Sequence, residues 1–146
     1  MVRGHRAPYL RDMDRIMDDS QADREAGVLP PAFAGWFAEQ GWTPHPHQLA
    51  LLDASGDSLL IAPTGGGKTL AGFLPSLVEL RNGWRGLHTV YVSPLKALTA
   101  DIGRNLARPV SDLNLPIRVE DRTGDTGSAA RQRQRTDPPQ ILLTTP

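Results

Sequence analysis

The residues best suited to chemistry lie in a glycine-rich run between a predicted strand and a predicted helix. The run reads A-P-T-G-G-G-K-T from Ala62 to Thr69. Consecutive glycines permit positive φ angles, so the backbone can turn its N–H groups inward as a concave nest for anions. The positive end of the following helix adds to the attraction. The alternative, a glycine-rich turn with a chance lysine, is disfavoured by the strand-loop-helix context, so the run predicts a phosphate-binding loop.

Two side chains at the end of the run extend this prediction to nucleotide chemistry. Lys68 supplies a mobile positive charge for the β and γ phosphates, and Thr69 offers a hydroxyl to Mg²⁺. Lys68 and Thr69 are therefore the catalytic candidates, and Thr69 is the candidate metal ligand.

The start of the run departs from the general phosphate-loop pattern. Ala62 stands where G-x-x-x-x-G-K-[ST] has its first glycine. Small-molecule kinases and GTPases usually keep that glycine, whereas the form A-x-T-G-x-G-K-T resembles superfamily 2 helicases.

Gln48 precedes the loop lysine by 20 positions and follows G-W-T-P-H-P-H, which looks like the Q motif of superfamily 2. A glutamine amide can pair with N6 and N7 of adenine and so favour ATP over GTP. Taken alone, Gln48 is more simply a polar residue in a first helical turn. Phe33, Trp36 or Trp42 could pack near the adenine, although the first two also suit a core. The predicted cofactors are ATP and Mg²⁺, bound by Gln48, Thr64, Gly65, Gly66, Gly67, Lys68 and Thr69.

Polar residues follow the other predicted strands and are candidates for contact with a nucleic-acid backbone. S-P-L-K-A-L-T-A-D at 93–101 resembles motif Ia, R-T-G-D-T at 122–126 resembles motif Ib, and T-T-P at 144–146 resembles the start of T-T-P-E. Parallel sheets place ligands at the carboxyl ends of their strands, where lysines and hydroxyls suit phosphate oxygens. Alone, each segment is also an ordinary strand exit or turn. The candidate contacts are Pro94, Leu95, Lys96, Asp101, Gly124, Asp125, Thr144 and Thr145.

The elements that must position these residues alternate between short apolar runs and helical runs. This alternation predicts an α/β fold with a parallel sheet flanked by helices. The predicted strands are Ser58 to Ala62, Thr89 to Ser93, Ile117 to Arg122 and Ile141 to Thr144. The predicted helices are a short one between Pro31 and Gly41, then His47 to Ala54, Lys68 to Leu80, Leu95 to Ala107 and Ser128 to Arg135. Pro75 is expected to kink its helix or to open a turn there.

Composition limits the chain to one small domain and narrows the function classes. The 146 residues are 39% hydrophobic and carry 16 basic and 16 acidic side chains, so no global positive field predicts a nucleic-acid partner. The lack of cysteine excludes disulfides and suits the cytoplasm. No apolar stretch approaches the roughly 20 residues of a membrane span, and no signal peptide is visible. We expect a loosely held extension at 1–29 and the structured part at 30–146.

Arginines and histidines give weaker signals. Arg131, Arg133 and Arg135 lie near the last predicted helix and could supply charge to phosphates, but we favour a solvated face. The four histidines show no metal-ligand spacing and are expected to be structural or exposed.

From Leu29 to Pro146 the sequence resembles the ligase-associated DEXH box helicases, a branch of the bacterial large helicase-related (Lhr) family. The phrases that carry the resemblance are LPPAFAGWFAEQGWTPHPHQ, LLIAPTGGGKTLAGFLPSLVEL, GLHTVYVSPLKALTADIGRNLARPV, DRTGDT and ILLTTP. The resemblance implies that 30–146 is the first half of RecA-like domain 1 of an ATP-dependent DNA helicase. Such proteins move along single-stranded DNA, generally 3′ to 5′, and are linked to DNA repair and to an ATP-dependent DNA ligase.

The resemblance also implies that the DEXH motif and a second RecA-like lobe lie downstream of Pro146. This chain alone is therefore expected to hydrolyse no ATP. Without the later strands, we expect bare strand edges and a marginal or aggregation-prone fold. Two alternatives stay open: another P-loop DNA-dependent ATPase such as a restriction-type motor, and a non-catalytic nucleotide-binding fragment.

Overall fold

The computed structural model describes residues 28–146, in which helices and strands alternate from Lys68 onward. The expected extension at 1–29 lies outside the described residues except for its last two positions. The helices are α1 Pro31–Glu39, α2 Pro46–Leu52, α3 Lys68–Leu80, α4 Lys96–Asp112 and α5 Ser128–Thr136. The strands are β1 Thr89–Val92, β2 Val119–Arg122 and β3 Ile141–Thr144. None of these helices combines the length and the apolar character that crossing a membrane requires.

The three strands form a parallel sheet in the order β1-β3-β2. Thr144 at the end of β3 is in register with Val92 on one side and with Arg122 on the other. Parallel strands need crossover connections, which α4 supplies between β1 and β2 and α5 supplies between β2 and β3. The predicted α/β class is confirmed, and the segments that follow the three strands start at the same end of the sheet.

Helix α3 carries much of the hydrophobic core and also begins at the glycine-rich run. Its buried residues recur at helical spacing, as Ala71, Phe73, Leu74, Leu77, Val78 and Leu80. Of the two outcomes expected at Pro75, a kink or an open turn, the open turn is not found, because α3 continues through Pro75 to Leu80. An interior proline costs about 3 kcal/mol, whereas burial of each large apolar side chain contributes about 1.5–3 kcal/mol. The buried neighbours therefore outweigh the proline.

Helix α4 is longer than predicted and is tied to α1. The prediction ended near Ala107, whereas the helix extends to Asp112. Pro109 lies on the same buried face as Ile102 and Leu106, so its ring adds to the packing that holds the last turn. The indole Nε1 of Trp36 in α1 donates to a carboxylate oxygen of Asp112 at 2.9 Å. This bond joins α1 to the carboxyl end of α4.

Residues 58–62 do not form the strand that their apolar pattern predicted. Leu59 and Ile61 are 86% and 84% exposed, and the segment is absent from the described sheet. A strand requires a neighbour that accepts and donates its backbone hydrogen bonds. The local pattern shows β propensity, but no described strand pairs with this segment.

Helix α5 is fastened to β2 by a carboxylate. Glu120 accepts two hydrogen bonds from the guanidinium of Arg133, both at 2.8 Å, and one from Gln134 at 3.0 Å. The hydrogen bond from Arg133 is the largest of the influences that lower the pKa of Glu120 below its ordinary value. Arg133 is thus engaged in holding α5 on the sheet, although its side chain remains partly exposed.

Candidate functional site

The glycine-rich run forms a loop that ends at the first residue of α3. Gly65 and Gly67 have φ angles of +82° and +68°, in the left-handed region that favours glycine. A Cβ atom at Gly67 would lie 2.7 Å from Nε2 of Gln48, too close for any other residue without rearrangement. The N–H of Gly66 donates to the carbonyl of Pro63 at 3.1 Å and closes a turn. The predicted need for positive φ is therefore met at two of the three glycines.

Lys68 begins α3 and folds back over the start of the loop. Its ammonium donates to the carbonyl oxygens of Ala62 and Pro63 at 2.8 and 2.6 Å, and the side chain is exposed. An ammonium group has three donors, so one remains for a ligand. Thr64 is exposed in the loop, and Thr69 is half-buried.

A pocket of about 520 Å³ opens beside the loop. Its volume falls within the roughly 300–1,000 Å³ of small-molecule sites. The pocket brings the phosphate loop together with the segment before α2 and with the second half of α4. Its lining residues are Trp36, Phe37, Trp42, Thr43, His45, Gln48, Gly65, Gly67, Thr69, Leu70, Arg104, Asn105, Leu106, Arg108 and Pro109.

The structure separates the three candidate aromatics. Phe33 and Trp36 are 1% and 4% exposed and belong to the core, although Trp36 also borders the pocket, whereas Trp42 lines the pocket and is 47% exposed. The rings of Trp36 and Trp42 pack edge to face, with their centroids 5.6 Å apart. Trp36 therefore supports the Trp42 ring from the core. The guanidinium of Arg108 lies 5.8 Å from the centre of the Trp42 ring. Trp42 is therefore the aromatic that offers ring surface to a ligand.

Gln48 is 3% exposed and sits against the loop. Its side-chain oxygen accepts from the backbone N–H of His45 at 2.8 Å, and its Nε2 donates to the carbonyl of Gly67 at 3.3 Å. A carboxamide has two donor and two acceptor positions, so one of each remains. The position fits contact with both the loop and a base.

His47 is a residue of this site that sequence reasoning missed. Its Nε2 lies 2.7 Å from the carbonyl oxygen of Gly66. The expectation of a structural or exposed histidine did not foresee this contact, because it depends on how α2 packs against α3. The one sequence feature that could have indicated a role for His47 is its position directly before Gln48.

The carboxyl end of the sheet gathers a second set of predicted residues. The ammonium of Lys96, at the start of α4, pairs with Asp125 in the turn after β2 at 2.8 Å. The hydroxyl of Thr144 donates to the carbonyl of Arg122 at 2.6 Å. Pro94 and Leu95 follow β1, Gly124 lies beside the ammonium of Lys96, and Thr145 follows β3. The segments that resemble motifs Ia, Ib and T-T-P therefore meet, as the parallel topology requires.

Asp101 is the member of this predicted set that the structure directs elsewhere. It pairs with Arg104 one turn further along α4. Arg104 in turn lines the pocket beside the phosphate loop. Asp101 is thus paired along α4, whereas Lys96 pairs across to the turn after β2.

Arg131 was expected on a solvated face, but its guanidinium is bonded to the backbone of a turn. Its guanidinium donates to the carbonyls of Thr126, Gly124 and Thr123 at 2.8, 3.0 and 2.9 Å. These carbonyls form the turn after β2, next to the beginning of α5, so the helix brings the guanidinium within reach. Arg131 holds the shape of the turn, whereas Arg135 is exposed as expected.

The sequence of residues 46–146 matches the DEAD/DEAH box helicase family. The chain belongs to that family. The match covers the phosphate loop, Gln48 and all three strand-end segments. This family membership confirms the helicase interpretation and disfavours the other P-loop ATPases.

Relatives of this DEAD/DEAH chain include Lhr-type helicases. It is 40% identical to the ATP-dependent helicase Lhr-Core of Saccharolobus solfataricus over 134 residues, covering 82% of this chain and 15% of that protein. It is 38% identical to the Lhr helicase/probable uracil glycosylase of Mycolicibacterium smegmatis, covering 76% of this chain and 8% of that protein. The chain thus spans a small part of the length of these relatives.

One solved structure is similar to this chain in both sequence and fold. It is the Mycobacterium smegmatis helicase Lhr bound to ssDNA and AMP-PNP, with a TM-score of 0.72 and 37% sequence identity. The similarity covers 80% of this chain and 17% of the other. The resemblance to the Lhr family is therefore confirmed by sequence and by fold.

Proposed function

We propose that the chain binds ATP in the pocket beside the phosphate loop and forms part of an ATP-dependent DNA helicase or translocase. The observation that carries the proposal is one pocket lined by Gly65 and Gly67 of the loop, by Trp42 and by Gln48. Its parts match the parts of the ligand: an anion nest for phosphates, an aromatic ring for a base and an amide for the base edge. The ATP-dependent helicases among the relatives support the same ligand.

Each group of this chain has a distinct part in holding the nucleotide. The backbone N–H groups of the loop and the start of α3 bind the phosphates, and the free donor of Lys68 reaches the β or γ oxygens. Trp42 stacks on the adenine, and the remaining donor and acceptor of Gln48 select it over guanine. Together these contacts would hold the triphosphate at the loop and the base at the pocket wall.

Thr69 fits a magnesium ligand at this pocket. Mg²⁺ takes oxygen ligands and usually keeps several waters beside one or two protein groups and the substrate phosphates. Among the described residues, the pocket lining contains the Thr69 hydroxyl and no carboxylate, so phosphate oxygens and waters would complete its coordination here. The bound ion would neutralise phosphate charge.

Ligands with and without a base distinguish stacking by Trp42 from an indirect effect of Trp42 on the loop. Trp42→Ala should weaken ATP binding about tenfold to a hundredfold, because base-aromatic stacking contributes about 1–3 kcal/mol. Tripolyphosphate, which lacks the base, should bind as before, and Trp42→Phe should keep most of the ATP affinity. Isothermal titration calorimetry of the unsubstituted chain and of both variants, each with both ligands, measures these effects. Equal losses for ATP and tripolyphosphate would show that Trp42 only supports the loop.

We further propose that the strand-end cluster binds the backbone of single-stranded DNA. The cluster comprises Pro94, Leu95, Lys96, Gly124, Asp125, Thr144 and Thr145. A lysine, hydroxyl groups and a glycine turn recognise phosphates without reading sequence. The single-stranded DNA in the related Lhr structure supports the choice of nucleic acid.

Lys96 provides the test of this second surface. Lys96→Ala should lower affinity for an oligothymidylate about threefold to tenfold and should reduce the salt dependence by roughly the 0.7 expected for one phosphate contact. Asp125→Asn should leave affinity unchanged or raise it, because it releases the ammonium from its ion pair. Fluorescence anisotropy over a series of salt concentrations measures both. An unchanged affinity and slope in Lys96→Ala would exclude this surface.

The finer assignments are also proposals. We place the chain in the ligase-associated DEXH branch on the phrases quoted above, and with that branch a role in DNA repair, an ATP-dependent DNA ligase as partner and the cytoplasm as location. We also propose that residues 30–146 are the first half of RecA-like domain 1, and that a second such lobe completes the ATP site.

A further inference from the structure

A histidine contacts the backbone of the phosphate loop directly. Nε2 of His47 lies 2.7 Å from the carbonyl oxygen of Gly66, and the side chain is half-buried. A carbonyl oxygen only accepts hydrogen bonds, so Nε2 must carry the proton and donate it. The neighbouring Gln48 donates to the carbonyl of Gly67. The first turn of α2 thus holds two consecutive carbonyls of the loop.

The two carbonyls differ in how many hydrogen bonds hold their orientation. The carbonyl of Gly67 also accepts from the N–H of Ala71 at 2.9 Å, within the first turn of α3. Gly66 precedes the residue that caps α3, and His47 is the side chain that bonds its carbonyl. Glycine peptides reorient easily, because glycine populates positive and negative φ alike. The Gly66 to Gly67 peptide therefore relies on His47 for its orientation.

We infer that His47 is a positioning residue that keeps the Gly67 N–H directed at the phosphate site. In a planar trans peptide the carbonyl oxygen and the following N–H point in opposite directions. A carbonyl of Gly66 held toward His47 therefore turns the N–H of Gly67 to the opposite side, into the anion nest. A reversed peptide would present a carbonyl oxygen to the phosphates and repel them. This inference rests on the proposed binding of ATP at the loop.

The imidazole is itself held in place. The ring of His45 stacks on that of His47 with centroids 5.1 Å apart and planes 10° apart. Helix α2 also packs along α3, so the ring and the loop belong to one packed unit. The donor therefore reaches Gly66 from a fixed position.

The test measures tripolyphosphate binding, which requires the anion nest and no base. His47→Phe keeps a flat ring without a donor and should weaken binding about threefold to tenfold, the value of one hydrogen bond. His47→Ala carries the same expectation, so the result does not depend on the bulk of phenylalanine. His47→Gln places an amide N–H near the original Nε2 and should restore binding to within about twofold. Ala50→Gln, on the exposed face of α2, is the matched control and should not change binding.

Calorimetric titration of the four variants and the unsubstituted chain, with melting temperatures taken alongside, decides the matter. Rescue by glutamine but not by phenylalanine or alanine supports the positioning role, because a purely structural role would not depend on a donor at that point. Unchanged binding in His47→Phe and His47→Ala, or a glutamine variant as weak as these two, would overturn the inference alone. Absence of binding by the unsubstituted chain would overturn the proposed ATP site as well.

Discussion

Replacing Gly67 with alanine is expected to weaken ATP binding at least about a hundredfold. The φ angle of +68° at this position costs an alanine about 1–2 kcal/mol. The added Cβ would also lie 2.7 Å from Nε2 of Gln48. Relief of the φ strain turns the peptides on both sides and removes backbone N–H groups from the nest, and relief of the contact displaces the Gln48 amide from the loop. Two lost hydrogen bonds to a charged ligand, at about 1.5–3 kcal/mol each, account for the expected factor.

Gly72→Ala is the matched control for this substitution. Gly72 lies in α3, the helix that Gly67 precedes, and is exposed. A Cβ added at Gly72 would have no neighbouring atom within 4 Å. Alanine at this position should leave ATP affinity unchanged and raise the free energy of unfolding by about 0.5–1 kcal/mol. Titration with ATP and Mg²⁺ and urea denaturation measure the two effects. Normal ATP affinity in Gly67→Ala would show that the left-handed glycine is not needed for the ligand.

The phosphate loop could be predicted because its requirements are local. Positive φ, a helix start and a lysine are properties of adjacent residues, so the predicted helix Lys68 to Leu80 agrees with α3 at both ends. The meeting of Lys96 with Asp125 also followed from the sequence, through the rule that parallel strands place their carboxyl ends together.

Contacts between distant elements could not be predicted in the same way. The segment 58–62 has strand propensity, but pairing depends on a neighbour that a local pattern does not specify. His47 and Gly66 are 19 positions apart, and their contact arises from the packing of α2 on α3. Arg131 likewise reaches the turn after β2 only because α5 begins beside it.

The adenine-facing aromatic needed the structure for a related reason. Phe33, Trp36 and Trp42 have similar chemistry, and their order along the chain does not show which is buried. Trp36 is 4% exposed and its indole is bonded to Asp112, so little of its ring is accessible, whereas Trp42 is 47% exposed at the pocket. Composition alone therefore identified the candidates, and packing selected among them.

Titration of the Lys68→Ala variant with ATP and Mg²⁺ tests the central claim, phosphate binding by this loop, most directly. Loss of the charged donor at the loop should weaken binding about tenfold to a hundredfold, since hydrogen bonds to charged groups contribute about 1.5–3 kcal/mol. The free energy of unfolding should fall by no more than about 1 kcal/mol, because the side chain is exposed and its two hydrogen bonds to loop carbonyls are open to solvent. Arg85→Ala removes one exposed positive charge away from the pocket and should bind ATP normally. Unchanged affinity in Lys68→Ala, or an equal loss in Arg85→Ala, would contradict the account.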